Sequence, residues 1–397
     1  MTEASDHKGR IPRVLLVEAT ETCNGGAQMM LDELLHRIDP GRYEPVFAVL
    51  GEGPWAERVR AEGLEVHVVH QTRWRDLGNV RSVVRSLTGI VRTNHIDLVH
   101  ASGSHSLLFA SLGAKGAKVP VVWTVFDPLT GLSPRKMLTA RRKVVAHLLG
   151  LLHPDAIIFG TDRAAEGVPR RSSTPTATIL PGIDLARHGQ GTGSRARAEL
   201  GIAEDAPVLS MFGRLTFLKS QTDFVRSMAD VVRKFPAARG VICGSDVESG
   251  YGKRVRSLIS ELGLESHVML TGFVSDRLKD DIMAATDIVV HLAQRESFGL
   301  AVVEAQAAQK VVVAADASGP RSLVQSGVTG VLVPVGDVDR LTETLIDLLG
   351  DAPRRETIGQ QALESARRHP IETMVDEIQD VWDHVLATST RPTAGNS

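Results

Sequence analysis

Short apolar runs rich in Val and Ile recur along the chain, separated by helix-length stretches. In the first half they are Val14–Val17, Pro45–Leu50, Val66–Val69, Ile96–His100, Val119–Val125 and Ala156–Phe159. Each is apolar at consecutive rather than alternate positions, the pattern of strands covered on both faces. Between them, stretches such as Ala27–Ile38 and Asn79–Asn94 carry the apolar stripe of an amphipathic helix. This alternation predicts an α/β fold, a parallel, doubly wound sheet with helices on both faces.

The rhythm restarts in the second half. Thr174–Ile179 runs into Pro181-Gly182-Ile183-Asp184, a turn-rich break, and then into Gly189–Arg197, whose Gly, Ser and Arg read as an interdomain connection. Val208–Phe212, Gly240–Cys243, Val268–Leu270, Ile288–Leu292, Val311–Ala314 and Gly330–Val333 follow as a second strand set. Two α/β domains of similar size are predicted, over 11–186 and 187–370. After Pro370, apolar positions at Met374, Val375, Ile378, Val381, Trp382 and Val385 predict a final helix over 371–387. Residues 1–10 and 388–397 are polar and read as disordered tails.

Composition narrows the function. The 45 basic and 47 acidic side chains nearly cancel, so the basic excess of a general nucleic-acid binder is missing. Aromatic residues are only 4%, thin for a base-stacking platform. Cys23 and Cys243 form neither a metal-ligand spacing nor a disulfide framework. Met1–Arg10 lacks an apolar core, and no apolar run approaches the ~20 residues that span a bilayer. The expectation is a soluble cytoplasmic protein. From Pro128 to Pro154 there is no Asp or Glu, while Arg135, Lys136, Arg141, Arg142 and Lys143 alternate with Leu138, Val145, Leu148 and Leu152 at helical spacing. This is either a core stripe with solvated charges or a weak peripheral contact with an anionic membrane through Arg135–Lys143.

Three local patterns could carry chemistry. In Glu296-Ser-Phe-Gly-Leu-Ala-Val-Val-Glu304, a loop with Glu296 feeds a predicted helix over Leu300–Gln309 whose first turn holds Glu304. Backbone N–H groups at a helix start suit a phosphate, and two carboxylates suit a vicinal diol. The competing reading makes Glu304 a complement to the helix dipole and Glu296 a solvated loop residue. Arg214 and Lys219 in Phe212-Gly-Arg-Leu-Thr-Phe-Leu-Lys219 follow the first strand of the second domain, where ligands of open α/β sheets bind. They could clamp a diphosphate or be ordinary solvated charges. Asn24-Gly25-Gly26-Ala27-Gln28 opens a helix after the first strand, but it is neither a dinucleotide fingerprint nor a P-loop. Asp280-Asp281 reads as the start of a surface helix rather than a metal pair, and no metal site is predicted.

Together these patterns resemble the retaining glycosyltransferases of family 4, which have the two-domain GT-B fold. The matching pieces, in family order, are Asn24-Gly-Gly-Ala-Gln, Asp97-Leu-Val-His100, Pro181-Gly-Ile-Asp184, Phe212-Gly-Arg-Leu with Lys219, Thr271-Gly-Phe-Val-Ser, Glu296–Glu304 and Gly327-Val-Thr-Gly-Val-Leu-Val-Pro334. The resemblance implies two Rossmann-like domains facing a cleft, with the final helix crossing back to the first domain. It implies transfer of a sugar from a nucleoside diphosphate sugar, usually a UDP-sugar, to an acceptor hydroxyl, with retention and without a metal or other cofactor. By position, Arg214 and Lys219 would bind the diphosphate and Glu304 the ribose. Glu296, with the backbone of Ser297, Phe298, Gly299 and Leu300, would hold the transferred sugar. Phe273 and Val274 would lie beside the base, and Gly25 and Gly26 would close over the donor.

The match departs from the family at two places. Phe126 in Thr124-Val-Phe-Asp127 stands where many relatives have His, and Ser322 stands where many have Glu. His105, Phe126 and Asp127 are therefore the acceptor-side candidates. Alternatives to transfer are a nucleotide-sugar epimerase of the same architecture and a non-catalytic nucleotide-sugar binder. An NAD-dependent oxidoreductase is disfavoured by the missing fingerprint.

Overall fold

The computed structural model describes residues 10–23, 25–70, 77–126, 150–165 and 174–389. The chain divides into two compact units, Met1–Gly182 with Glu372–Ser397, and Ile183–Ile371. Seven strands form the sheet of the N-terminal unit: β1 (Arg13–Glu18), β2 (Glu44–Val49), β3 (Glu65–Val68), β4 (Leu98–Ser102), β5 (Val121–Val125), β6 (Ala156–Phe159) and β7 (Thr176–Thr178). Their order is β3-β2-β1-β4-β5-β6-β7. The C-terminal unit has six: β8 (Val208–Phe212), β9 (Arg239–Cys243), β10 (Val268–Gly272), β11 (Ile288–His291), β12 (Val311–Ala315) and β13 (Val331–Val333), in the order β10-β9-β8-β11-β12-β13. Both sheets are parallel and Rossmann-like.

Burial explains the unbroken apolar runs. In β8, Leu209 and Met211 belong to one core cluster while Val208 and Phe212 belong to another, so both faces are covered. In each sheet the strand order reverses direction at the first strand of the unit, between β1 and β4 and between β8 and β11. The crevice outside the carboxyl ends of such a pair is where doubly wound sheets bind ligands.

The last helix, Ile371–Thr388, packs back on the N-terminal unit. Its Trp382 is fully buried, edge-on to Tyr43 at 5.1 Å, and its indole N–H donates to His100 Nδ1 at 2.9 Å. That fixes the proton of His100 on Nε2, which donates to Thr124 Oγ1 at 2.7 Å. Burial pushes the His100 imidazole down to about 3, so it is neutral. Around this centre Gln379 Oε1 accepts from Asp39 N at 3.0 Å, Tyr43 donates to Asp383, and Arg42 pairs with Asp380 and Asp383.

Two expectations are corrected. The Gly189–Arg197 connection contains the start of a helix, Gly193–Leu200. Asp280 and Asp281 lie inside the helix Asp276–Ala285, and Asp281 is buried rather than on its surface. One fact accounts for both: the Asp281 carboxylate accepts the Thr192 N–H at 2.6 Å and pairs with Arg195, holding the start of the second helix against the first. Among the described residues no helix is long and apolar enough to cross a membrane. Asn24, Asp127 and Arg135–Lys143 lie outside the described residues.

Candidate functional site

The carboxyl edge of β8 and β11 gathers the charged residues of the C-terminal unit. Strand β8 ends at Phe212, and Gly213, at φ +140, turns the chain into Arg214 and a 3-10 turn over Phe217–Lys219. A Cβ at Gly244 would lie 2.0 Å from the Gly213 carbonyl oxygen, so β9 exits with its backbone pressed against this loop. The loop returns Lys219 toward the end of β11, where its ammonium sits 2.5 Å from Glu296 Oε2. His291, the last residue of β11, reaches the same oxygen from 3.3 Å and is 3% exposed.

The electrostatics follow from that arrangement. Burial alone would raise the Glu296 carboxyl. The neighbouring His291 and the charge of Lys219 outweigh it and hold the carboxyl far below the usual carboxylate range. Burial pushes the His291 imidazole down, against the pull of Glu296. The cluster is thus an anion clamped by an ammonium, with a buried imidazole behind it.

The rest of the loop is held through its backbone. The Glu296 carbonyl accepts from Gly319 N at 3.0 Å and from the Ser318 hydroxyl at 3.2 Å. Gly319 has no room for a side chain, since a Cβ would fall 2.4 Å from the Phe298 carbonyl oxygen. Phe298 is buried, edge-on to His369, and anchors the loop after Ser297. Gly299, at φ +108, then starts the helix Leu300–Ala307 with no side-chain cap, leaving first-turn N–H groups of Gly299 and Leu300 available to an anion.

Glu304 sits one turn deeper than expected. The helix is Leu300–Ala307, so Glu304 is its fifth residue rather than part of the first turn. It is not a solvated complement to the dipole: its side chain is 6% exposed and paired with Lys279 Nζ at 2.6 Å. Burial would raise the Glu304 carboxyl, but Lys279, with the nearby His188 and Arg187, holds it below its ordinary value. Behind it, Asp280 accepts from His188 Nδ1 at 3.1 Å and Arg187 Nε at 3.2 Å.

The remaining expected residues are less enclosed. Arg214 is exposed and has no ion pair among the described residues, while its carbonyl accepts from Gln221 Nε2 at 3.0 Å. Phe273 is 65% exposed in the turn after β10, and its neighbour Val274 packs against the core. In the N-terminal unit, Gly25 is the N-cap of the helix Gly26–Arg37 after β1. The Phe126 ring covers Gly160, where a Cβ would meet it at 2.4 Å. His105 is described only as backbone, in the first turn of the helix Ser104–Ala117. The structure therefore joins Lys219 to Glu296 and adds two residues that the sequence did not single out, His291 and Lys279. His291 carried a faint signal, a His closing an otherwise apolar strand.

Residues 194–365 match the model for glycosyl transferases group 1, and residues 24–187 that for glycosyltransferase family 4. A D-inositol 3-phosphate glycosyltransferase of Saccharomonospora viridis is 32% identical over 325 residues, which cover 76% of this chain and 74% of the relative. A protein of the same name from Salinispora tropica is 30% identical, covering 74% and 65%. The crystal structure of Anabaena HepE in complex with UDP and glucose matches with TM-score 0.80 at 24% identity, over 94% of this chain and 100% of that one. Sucrose-phosphate synthase from Thermosynechococcus elongatus matches with TM-score 0.77 at 17% identity, over 95% and 100%. At those identities the structural likeness bears on the fold. The chain belongs to glycosyltransferase family 4 and is a glycosyltransferase of the two-domain GT-B type.

Proposed function

We propose that this enzyme moves a glycosyl group from a UDP-sugar to a hydroxyl of a small acceptor, with retention at the anomeric carbon and without a metal ion. The observation that carries the reading is the Lys219–Glu296–His291 cluster beside the uncapped start of the Leu300–Ala307 helix. Arg214, Lys219 and the N–H groups after Gly299 face the charge that develops on a departing diphosphate, and they are in place beforehand. The Glu296 carboxylate accepts from sugar hydroxyls, and Glu304 accepts from the ribose diol. Phe273 and Val274 flank the base. In the transfer, the bond from the anomeric carbon to the phosphate oxygen breaks and one to the acceptor oxygen forms on the same face. The acceptor's proton passes to the leaving phosphate. HepE, whose structures hold UDP and UDP-glucose, supports UDP as the nucleotide. The S. viridis and Salinispora relatives are named for an inositol phosphate, which makes D-inositol 3-phosphate the first acceptor to assay.

Thermal unfolding with UDP, GDP and ADP tests the donor site. UDP at ~100 times its dissociation constant adds roughly 2.7 kcal/mol of stability to the wild type, and clearly less to Glu304→Ala. A melt that no nucleoside diphosphate moves overturns the reading.

A further inference from the structure

The N-terminal unit has its own buried polar groups at the reversal point between β1 and β4, and the donor chemistry does not use them. Pairing of Leu16 with His100 and of Val17 with Ala101 brings Glu18 beside Ser102 at the strand ends, and Ser102 pairs in turn with Thr124 of β5. The three side chains form a row on one sheet face, with exposures of 1%, 1% and 5%. Glu18 Oε1 accepts from Ala19 N at 2.8 Å and from the Thr20 backbone and hydroxyl at 3.3 Å, and the Gln28 side chain lies beside the same carboxyl. Glu18 Oε2 and the Ser102 hydroxyl are buried with no hydrogen-bond partner, as is the hydroxyl of Ser106 in the first turn of the helix after β4.

Buried polar atoms left without a partner are rare and destabilising. Three of them at one ligand-binding strand edge call for an occupant. Gly103, at φ +81, lets the backbone pass close to this carboxyl, since a Cβ there would lie 3.2 and 3.3 Å from the two Glu18 oxygens.

We propose that Glu18, Ser102 and Thr124 form a shelf that recognises adjacent hydroxyls of an uncharged polyol or sugar ring. The proposal rests on the transferase reading, of which the shelf is the acceptor side. The donor–acceptor pattern decides the ligand class. Glu18 Oε2 accepts, Ser102 gives and accepts, and Thr124, already accepting from His100, has its own proton to give. Hydroxyls match each of these. A phosphate does not, because it would meet the Glu18 carboxyl, and among the described residues no cation pairs with that carboxyl. The phosphate of a phosphorylated acceptor therefore lies away from the shelf. Burial raises the Glu18 carboxyl, and an anion beside it would raise it further.

Ligand-observed NMR titration of the full chain tests this, with myo-inositol and methyl α-D-glucopyranoside as probes. The expected result is that the wild type binds one of them, myo-inositol marking a cyclitol ligand and the glucoside a saccharide. Glu18→Gln and Ser102→Ala each weaken that probe at least fivefold, leave the UDP dissociation constant unchanged, and resist competition by inorganic phosphate as the wild type does. If Glu18→Gln fails to fold, Ser102→Ala decides. The shelf is overturned if neither probe binds the wild type, if the folded variants bind as tightly as the wild type, or if phosphate displaces the probe. UDP binding without polyol binding removes the shelf and leaves the transferase reading. Polyol binding without UDP binding does the reverse.

Discussion

Lys279 and Glu304 make a 2.6 Å ion pair with 14% and 6% of their side chains exposed. Removing one partner of a buried pair leaves an uncompensated charge, which costs far more than the pair contributes. Lys279→Met is expected to destabilise the enzyme by about 3 kcal/mol in urea unfolding, and adding Glu304→Gln should restore much of it. An unchanged unfolding midpoint in Lys279→Met would show that Glu304 is not held as described. Glu296 has a linked pH signature. Its carboxyl is depressed in the folded state, so its contribution is full above the ordinary value of 4.5 and lost as the pH falls below it toward the folded value. The wild type should therefore lose stability between about pH 5 and 3 more steeply than Glu296→Gln, by up to about 1.4 kcal/mol per pH unit. The spacing of Glu296 and Glu304 was legible in the sequence. Their partners were not, because Lys219 lies 77 residues from Glu296 and Lys279 lies 25 from Glu304. A lysine on a helix carries no local mark of the carboxylate it will meet.

Two elements owe their shape to contacts made elsewhere in the chain. The Glu296–Gly299 loop rests on Gly319, whose missing side chain lets the Phe298 carbonyl approach. Gly319→Ala puts a methyl against backbone that cannot move aside, so the loop must shift. A UDP-sugar dissociation constant at least tenfold higher is expected, measured by calorimetry; an unchanged constant would mean that the loop position does not matter to donor binding. The returning helix depends on Trp382 and His100 in the same way. His100 is neutral, with its value pushed down to about 3 from 6.5, so below about pH 6.5 the unfolded chain takes up a proton that the folded one refuses. Stability falls with pH across that window, by about 1.4 kcal/mol per pH unit from this one group. In His100→Gln the acid limb between pH 6 and 4 should be flatter, whatever the change in stability at neutral pH. The amphipathic stripe of 371–387 announced a helix. Its burial against the N-terminal unit is carried by Trp382, 282 residues from its partner.

Each unit is a doubly wound sheet with its own reversal point, and each places buried or clamped polar groups at that edge. Donor chemistry in this reading belongs to the C-terminal unit. Hydrogen exchange with saturating UDP should therefore slow amides in 213–220 and 296–304 and leave the cores of β1 to β5 unchanged. Protection confined to the N-terminal unit would reverse the assignment. Twelve of the thirteen strands were legible as apolar runs, within a few residues at their ends, because a strand buried on both faces is apolar at consecutive positions; β7, with its two exposed threonines, was not. The amphipathic helices were legible for the matching reason, one face in and one face out. Local pattern thus records what covers each segment. It holds no record of which segments meet. The strand order, the burial of Asp281, the pairing of Lys279 with Glu304, the placing of His291 behind Glu296 and the row of Glu18, Ser102 and Thr124 all join residues from separate elements. Chain folding alone brings those residues together, since charge pairing and hydrogen bonding act over a few ångströms in space and leave no periodic trace along the sequence.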